Sequence, residues 1–266
     1  MIKKNINNIK FSIITVTKNS EKYLEKNILS LRKQIYKNYE HIIIDSNSTD
    51  KTKSILRKYK SGLKILSEND KGLYYAMNKG IKLSSGQVIG ILNSDDFYYP
   101  KALKIINDYF TKMPDIDFVF GSTIKYKKIM SGFYPWKIHW TFGFYTTHSV
   151  GFFIKTQSQK KLGFYNTKFK YSSDYDLFYR MIVKEKMKGI STKKKEIIGF
   201  FKSGSYSSKF TFLEHLFEET QIRLDNNQNR IIILLIFIIH FLKNLNKFKK
   251  NKLKIFFNSL FKIIIV

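Results

Sequence analysis

Acidic residues are scarce in this 266-residue chain, 20 Asp and Glu against 48 Lys and Arg, and where the few fall is the first sign of chemistry. Asp45 closes the run HIIID, Asp95 and Asp96 close ILNSDD, and Glu68 and Asp70 follow LKILS. Carboxylates gathered at the ends of apolar runs supply hard oxygen donors, the ligand type of Mg2+ or Mn2+. Such a cation bridges carboxylate and diphosphate oxygens and neutralises charge on a departing nucleotide. Any one of these acids also serves as a helix cap or turn residue, and for Asp50 that is the better reading. Other phosphate-holding devices are missing from the sequence: no GxGxxG or GxxxxGK[ST] occurs, and TVTKNSEKY contains no glycine. With no cysteine, a disulfide framework, a thiolate zinc site and a Cys nucleophile are excluded. What is left points to nucleotide-sugar chemistry.

These acids need a scaffold that brings strand ends together. FSIITVT from Phe11, HIIIDS from His41, LKILS from Leu63 and QVIGILN from Gln87 read as buried strands. Between them, Leu24, Ile28, Leu31 and Ile35 form one helical stripe, and Leu73, Ala76, Met77, Gly80 and Ile81 form another, with Gly80 permitting close backbone approach. A helix carrying Ile55, Leu56 and Tyr59 takes its N-cap from Ser48 or Thr49. A helix over about Lys101–Thr111, strands at DFVFG and VGFFI, and a helix beginning near Asp174 follow, while the aromatic stretch Tyr126 to Thr147 has no clear period. The reading is an α/β fold with a mostly parallel central sheet flanked by helices. In such sheets ligands bind beyond the carboxyl ends of the strands, where strand order reverses. The domain is expected over residues 1–225, followed by a basic, apolar helical segment over 226–266.

Five pieces of the chain carry a family resemblance in this order and spacing: FSIITVTKN, IIIDSNSTD, SENDKGLYYAMNKGI, ILNSDD and YSSDYDLFYRM. Together they resemble a family-two glycosyltransferase of the GT-A fold, over roughly residues 10 to 185. The resemblance implies a single GT-A type Rossmann-like nucleotide-sugar domain and inverting transfer of a sugar from a nucleoside diphosphate, with Mn2+ or Mg2+ as cofactor. It places Val16, Thr17 and Asn19 beside the nucleotide base and ribose, Asp45 as the acid that receives base or ribose, and Asp70 near nucleotide and donor. Asn93, Ser94 and Asp95 stand where the family has its Asp-x-Asp motif, so Asp95 is the implied metal ligand, and Asn93 keeps an oxygen donor with less charge. Asp96 is implied to share the metal or bind sugar hydroxyls, and His148 to lie near the diphosphate or acceptor. Asp174 matches the catalytic base that takes the acceptor's proton. It also suits a cap for the helix it opens, and the two roles are compatible. Asp176 reads as structural. Lys18, Ser46 and Tyr75 depart from residue types usual in the family, which bears on the donor's base and sugar rather than on the reaction.

The formal charge of +28 raises two partners, nucleic acid and an anionic membrane surface. Lysine accounts for most of it, 43 against 5 arginines, in a chain also rich in Ile, Asn, Phe and Tyr, as A/T-rich coding alone would produce. Specific readers of DNA lean on arginine, so no specific nucleic acid is expected, and a basic nucleic-acid-binding module without transferase activity is the competing class. From Ile231 onward there are seven lysines and no acids, with IIILLIFIIHFL too short to span a bilayer. Its blocks of apolar and lysine-rich sequence read as a segment lying in the membrane interface, with an ordinary buried C-terminal helix over Ile231 to Leu242 as the alternative. The chain's start has no apolar run of signal-peptide length, which argues against export. The expected place is cytoplasmic, peripheral on the inner face of the cell membrane. There the partners would be a UDP-, GDP- or dTDP-sugar and a glycan or lipid-linked acceptor of cell-surface polysaccharide.

Overall fold

The apolar runs become strands because the chain between them forms helices that cover both faces of one sheet. The computed structural model describes residues 8–140, 149–202 and 212–244. Strands β1 (Phe11–Thr17), β2 (Tyr39–Asp45), β3 (Leu63–Ser67) and β4 (Val88–Ile91) fall on the four expected runs. Helices α1 (Leu24–Arg32), α2 (Thr52–Lys58) and α3 (Leu73–Leu83) connect them. Every residue of β1 is buried. Its odd positions Phe11 and Ile13 join one core layer, while Ile14 and Val16 join the other, the period-two alternation of a sheet covered on both sides. Burying one such side chain contributes about 1.5–3 kcal/mol.

After β4 come the two-residue β5 (Phe97–Tyr98), α4 (Ala102–Lys112), β6 (Phe118–Phe120), β7 (Ser122–Lys125) and β8 (Lys128–Met130). A 3-10 turn over Pro135–His139 precedes β9 (Phe152–Lys155) and α5 (Thr156–Leu162). Helix α6 (Ser173–Tyr179) runs on into a π-helical turn, followed by β10 (Gly189–Ser191), β11 (Ile197–Phe200), α7 (Phe212–Asp225) and α8 (Arg230–Lys243). The main sheet has seven strands in the order β10-β6-β9-β4-β1-β2-β3. It is parallel except for β9, which runs antiparallel to both β4 and β6. Strand order therefore reverses at β1, between β2 and β4.

Three local expectations are corrected. Helix α1 ends at Arg32, so Ile35 leaves the stripe; its amide bonds Pro100 O at 2.9 Å and its side chain is 59% exposed. Neither Ser48 nor Thr49 caps α2. Asp50 Oδ1 accepts the Thr52 N–H at 2.9 Å instead, while Ser48 turns to Asp45. A second, four-stranded sheet, β5-β11-β7-β8, was not expected, because strands of two to four residues are too short to show a period. Gly80 does permit close approach: a Cβ there would lie 2.3 Å from Ile14 Cγ2, so α3 sits directly on β1.

At the C-terminal end, α7 and α8 pair through Leu213, Leu216, Phe237 and Phe241. Asn229 caps α8, its side chain accepting the N–H groups of Ile231 and Ile232 at 2.9 and 3.3 Å. Among the described residues no helix is long and apolar enough to cross a membrane.

Candidate active site

A cavity of about 690 Å3 opens beyond the carboxyl ends of β1 and β4, at the reversal of strand order. Its size is that of a small-molecule or cofactor site. One wall is a rim of strand ends, the other is formed by α3 and α6.

The rim is tied by short polar side chains. Asn19, just past β1, adopts the left-handed region (φ 50°), which asparagine tolerates better than most residues. Its N–H donates to Ser48 Oγ at 2.8 Å, and its Oδ1 accepts the Thr49 N–H at 2.8 Å. Ser48 Oγ donates in turn to Asp45 Oδ1 at 2.5 Å, and Ser67 Oγ donates to Asp45 Oδ2 at 2.6 Å. Asp45 is thus fully buried, a knot joining the ends of β1, β2 and β3, and it does not line the cavity. Ser46 and Asp70 line it instead, with Ser46 Oγ donating to Asp70 Oδ2 at 3.0 Å and Lys79 pairing with the other Asp70 oxygen at 2.5 Å.

Val16, Thr17, Asn19, Asn93, Ser94 and Asp95 all line the same cavity. Ser94 Oγ bonds Ser20 Oγ at 2.8 Å, joining the turns after β1 and β4. Asn93 Nδ2 donates to Ser149 Oγ at 2.9 Å, whereas Asn93 Oδ1 and Thr17 Oγ1 are buried without a protein partner. An unmet buried polar atom costs about 1–3 kcal/mol, so two of them in the lining of one cavity mark where a ligand would bond. Burial raises the Asp95 carboxyl above its usual range, against the pull of Lys202. Asp96 turns away from the cavity and is 1% exposed. Burial pushes its carboxyl well up, Asp95 adds to this, and its Oδ1 accepts the Lys202 N–H at 2.8 Å. Asn27 of α1 holds the whole turn, its Nδ2 donating to the carbonyls of Asn93 and Asp96 at 2.9 and 3.1 Å.

Opposite stands Asp174, in the first turn of α6. Its Oδ1 accepts the Tyr175 N–H at 2.9 Å, so it does tie its own helix start, and it also accepts the Tyr74 hydroxyl at 3.3 Å. Tyr74 donates as well toward Tyr171 O at 3.1 Å and stacks on Tyr165, with ring centroids 5.4 Å apart. Asp176 faces the protein, paired with Arg180 Nε at 2.9 Å and accepting from Asn226 at 3.3 Å, a structural position. His148 lies outside the described residues. Sequence reasoning missed Tyr74, Tyr165 and Lys202, all of which line the cavity. Tyr74 stands next to Leu73, which had been placed on the inward stripe, so only the helix's rotation could have found it. Lys202, whose ammonium lies 3.0 Å from the centre of the Tyr23 ring, has no local signal at all.

A mostly parallel sheet with a cavity at its switch point, lined by acids on the rim and by a helix-borne acid on the other side, is the arrangement of a GT-A type glycosyltransferase domain. The chain belongs to glycosyl transferase family 2, whose pattern it matches over residues 12–184. The motif resemblance to a family-two glycosyltransferase therefore holds. An uncharacterized glycosyltransferase of Methanocaldococcus jannaschii is 29% identical over 189 residues, 65% of this chain and 65% of that protein. The UDP-Glc:alpha-D-GlcNAc-diphosphoundecaprenol beta-1,3-glucosyltransferase WfgD of Escherichia coli is 34% identical over 113 residues, 42% of this chain and 44% of that one. Staphylococcus aureus TarS 1-349, solved in complex with UDP-GlcNAc, shares the fold with a TM-score of 0.73 at 20% identity, covering 96% of this chain and 81% of that one. The chain spans 58 to 65% of the length of the first curated relatives it matches.

Proposed function

We propose that this chain is an inverting, divalent-metal-dependent glycosyltransferase. It moves a sugar from a UDP-, GDP- or dTDP-sugar to a hydroxyl of a glycan or lipid-linked acceptor in cell-surface polysaccharide synthesis. The observation that carries the proposal is that Asp95 and Asp174 line one cavity from opposite walls. Thr17, Asn19, Ser46 and Asp70 hold the nucleotide on the rim, with Val16 as its floor. Asp45 acts from behind by fixing Ser48 and Ser67, and Asp96 by fixing Lys202. Asp174, oriented by the Tyr74 hydroxyl and the Tyr175 N–H, takes the acceptor's proton as that oxygen attacks the anomeric carbon. Attack comes from the face opposite the nucleotide, so one base suffices and the configuration inverts. His148, which precedes in sequence the short 3-10 turn Ser149–Gly151 that leads into β9, is assigned to the diphosphate or the acceptor.

Asn93 Oδ1, buried and without a protein partner, and the Asp95 carboxylate are hard oxygen donors that fit Mn2+ or Mg2+. Among the described residues no three His, Cys, Asp or Glu gather to cage a metal. The remaining ligands would come from the diphosphate, the usual way a small cation sits on one or two carboxylates and a nucleotide. When bound, the cation supplies charge stabilisation to the leaving diphosphate.

Ile231, Leu235, Ile238, Ile239 and Leu242 form an exposed apolar face of α8, and both tryptophans of the chain, Trp136 and Trp140, are also exposed. The Trp-bearing turn is pinned to the α7–α8 corner, where Arg223 and Gln228 both donate to His139 O at 3.1 Å. Apolar and Trp side chains next to an acid-free, lysine-rich end support peripheral seating on the inner, cytoplasmic face of the membrane. The test is release of nucleoside diphosphate from UDP-, GDP- and dTDP-sugars with Mn2+. Asp174→Asn and Asp95→Ala should each abolish it without lowering the melting temperature, and near-normal turnover in either would sink that residue's role.

A further inference from the structure

Two to four residues before Asp174 the backbone presents three consecutive N–H groups to one carboxylate. Glu218 of α7 accepts the Lys170 N–H through Oε1 at 2.5 Å, and the N–H groups of Tyr171 and Ser172 through Oε2 at 2.7 Å each. Bonds from amides to an ionised carboxylate are about twice as strong as neutral ones, and three on one anion fix a short stretch of backbone against rotation. The same face of α7 makes the neighbouring contacts. His215 Nδ1 lies 3.5 Å from Ser172 Oγ, and Asp225 pairs with Lys168 at 2.9 Å. Positions 215, 218 and 225 are spaced by three and seven residues, which sets them on one stripe of a helix. Tyr74 reaches the same stretch from the cavity side, bonding both Tyr171 O and Asp174 Oδ1.

Glu218 does not line the cavity, and α7 lies beyond the residues 12–184 that match the family. The clamp is therefore supplied by the C-terminal helical part of this chain. We propose that Glu218 is a positioning residue for sugar transfer: its carboxylate holds the Lys170–Ser172 turn, and so holds Asp174 at the distance and angle from which it accepts the proton. This rests on Asp174 being the base. A misplacement of about 1 Å in a reacting group costs on the order of 100-fold in rate, so losing the clamp should act on turnover and not on donor binding.

The experiment compares the full chain with Glu218→Gln, Glu218→Asp and Asp174→Asn. The donor is whichever of the UDP-, GDP- and dTDP-hexoses the unaltered chain turns over fastest. In Glu218→Gln, hydrogen exchange at the amides of residues 170–172 should accelerate and kcat should fall about 10- to 100-fold, with donor KM unchanged. Glu218→Asp keeps the charge on a shorter arm, so exchange and kcat should both fall between the unaltered chain and Glu218→Gln. If Glu218→Gln does not fold, the Asp variant carries the same comparison alone. Fast exchange with unaltered kcat overturns the proposal, and so does a kcat loss matched by an equal weakening of donor binding, the mark of general loosening. If Asp174→Asn keeps its turnover, the base assignment fails and the proposal with it. If Asp174→Asn is inactive while kcat in the Glu218 variants is normal, the clamp alone is wrong.

Discussion

Asp45 lies buried behind the rim of the cavity that Asp174 lines, and the protein treats the two acids in opposite ways. Asp45, at the end of β2, is fully buried with each oxygen bonded by a serine hydroxyl. Asp174, on α6, lines the cavity on a turn whose amides are held by a carboxylate from α7. At Asp45 the rim uses an acid for geometry, while the helical wall sets Asp174 toward the space where substrates would lie. A carboxylate whose lone pairs are already filled by the protein shapes a site without reacting in it. One that lines the cavity, with the turn before it fixed through backbone amides, keeps its position beside the space where substrates would lie.

This contrast can be broken at the rim first. Asp45→Ala leaves Ser48 and Ser67 without their acceptor, and a loss of about 3 kcal/mol in unfolding free energy is expected from denaturant titration. An unchanged midpoint would show that Asp45 is not the knot described. A somewhat smaller effect is expected from acid. His41 of β2 is fully buried, and burial, with a small addition from Arg32, holds its imidazole down to about 3. Thr15 Oγ1 donates to Asn27 Oδ1 at 3.2 Å, so His41 Nε2–H donates to Thr15 Oγ1 at 2.9 Å, and Asn27 passes the chain of bonds on to the rim. The unfolded chain takes up a proton below pH about 6.5 that the native state refuses until about pH 3. Stability from this group is therefore complete above the unfolded value and falls as pH drops. About 2 kcal/mol should disappear between pH 6.5 and 5, and His41→Gln should flatten that slope. If the slope is the same in His41→Gln, the buried network does not support the rim. The smallest effect on stability belongs to the far end of the helical part. Ile239→Lys on the exposed face of α8 should change unfolding free energy by less than about 0.5 kcal/mol, while co-sedimentation with vesicles containing anionic phosphatidylglycerol is lost. Undiminished sedimentation would remove α8 from the membrane contact.

The same two regions differ in how far they can be read from sequence. β1 and β3 fall on the residues expected because their apolar runs are bounded by polar turns, and the α3 stripe survives because 3.6-residue periodicity is a local property. Ile35 fits the periodicity and still lies outside α1, because Pro100 takes its amide and the helix has already ended. The second sheet leaves no trace in its short strands. At the site, the strand-end acids were visible as a set. That Asp45 and Asp96 turn inward while Asp95 faces the cavity was not, since each outcome depends on donors from distant segments.

Sequence by itself determined the order of the first four strands and the helices between them, the rim on which the acids gather, and the family motifs that single out Asp95 and Asp174. These follow from hydrophobic period and chain order, which act over a few residues. Only the tertiary structure decided which carboxylates are buried behind the rim and which line the cavity. It also made Glu218 part of the Asp174 turn. A carboxylate's role is set by the donors that reach it, and here they arrive from segments tens of residues away, brought together only when the sheet and the last helices close.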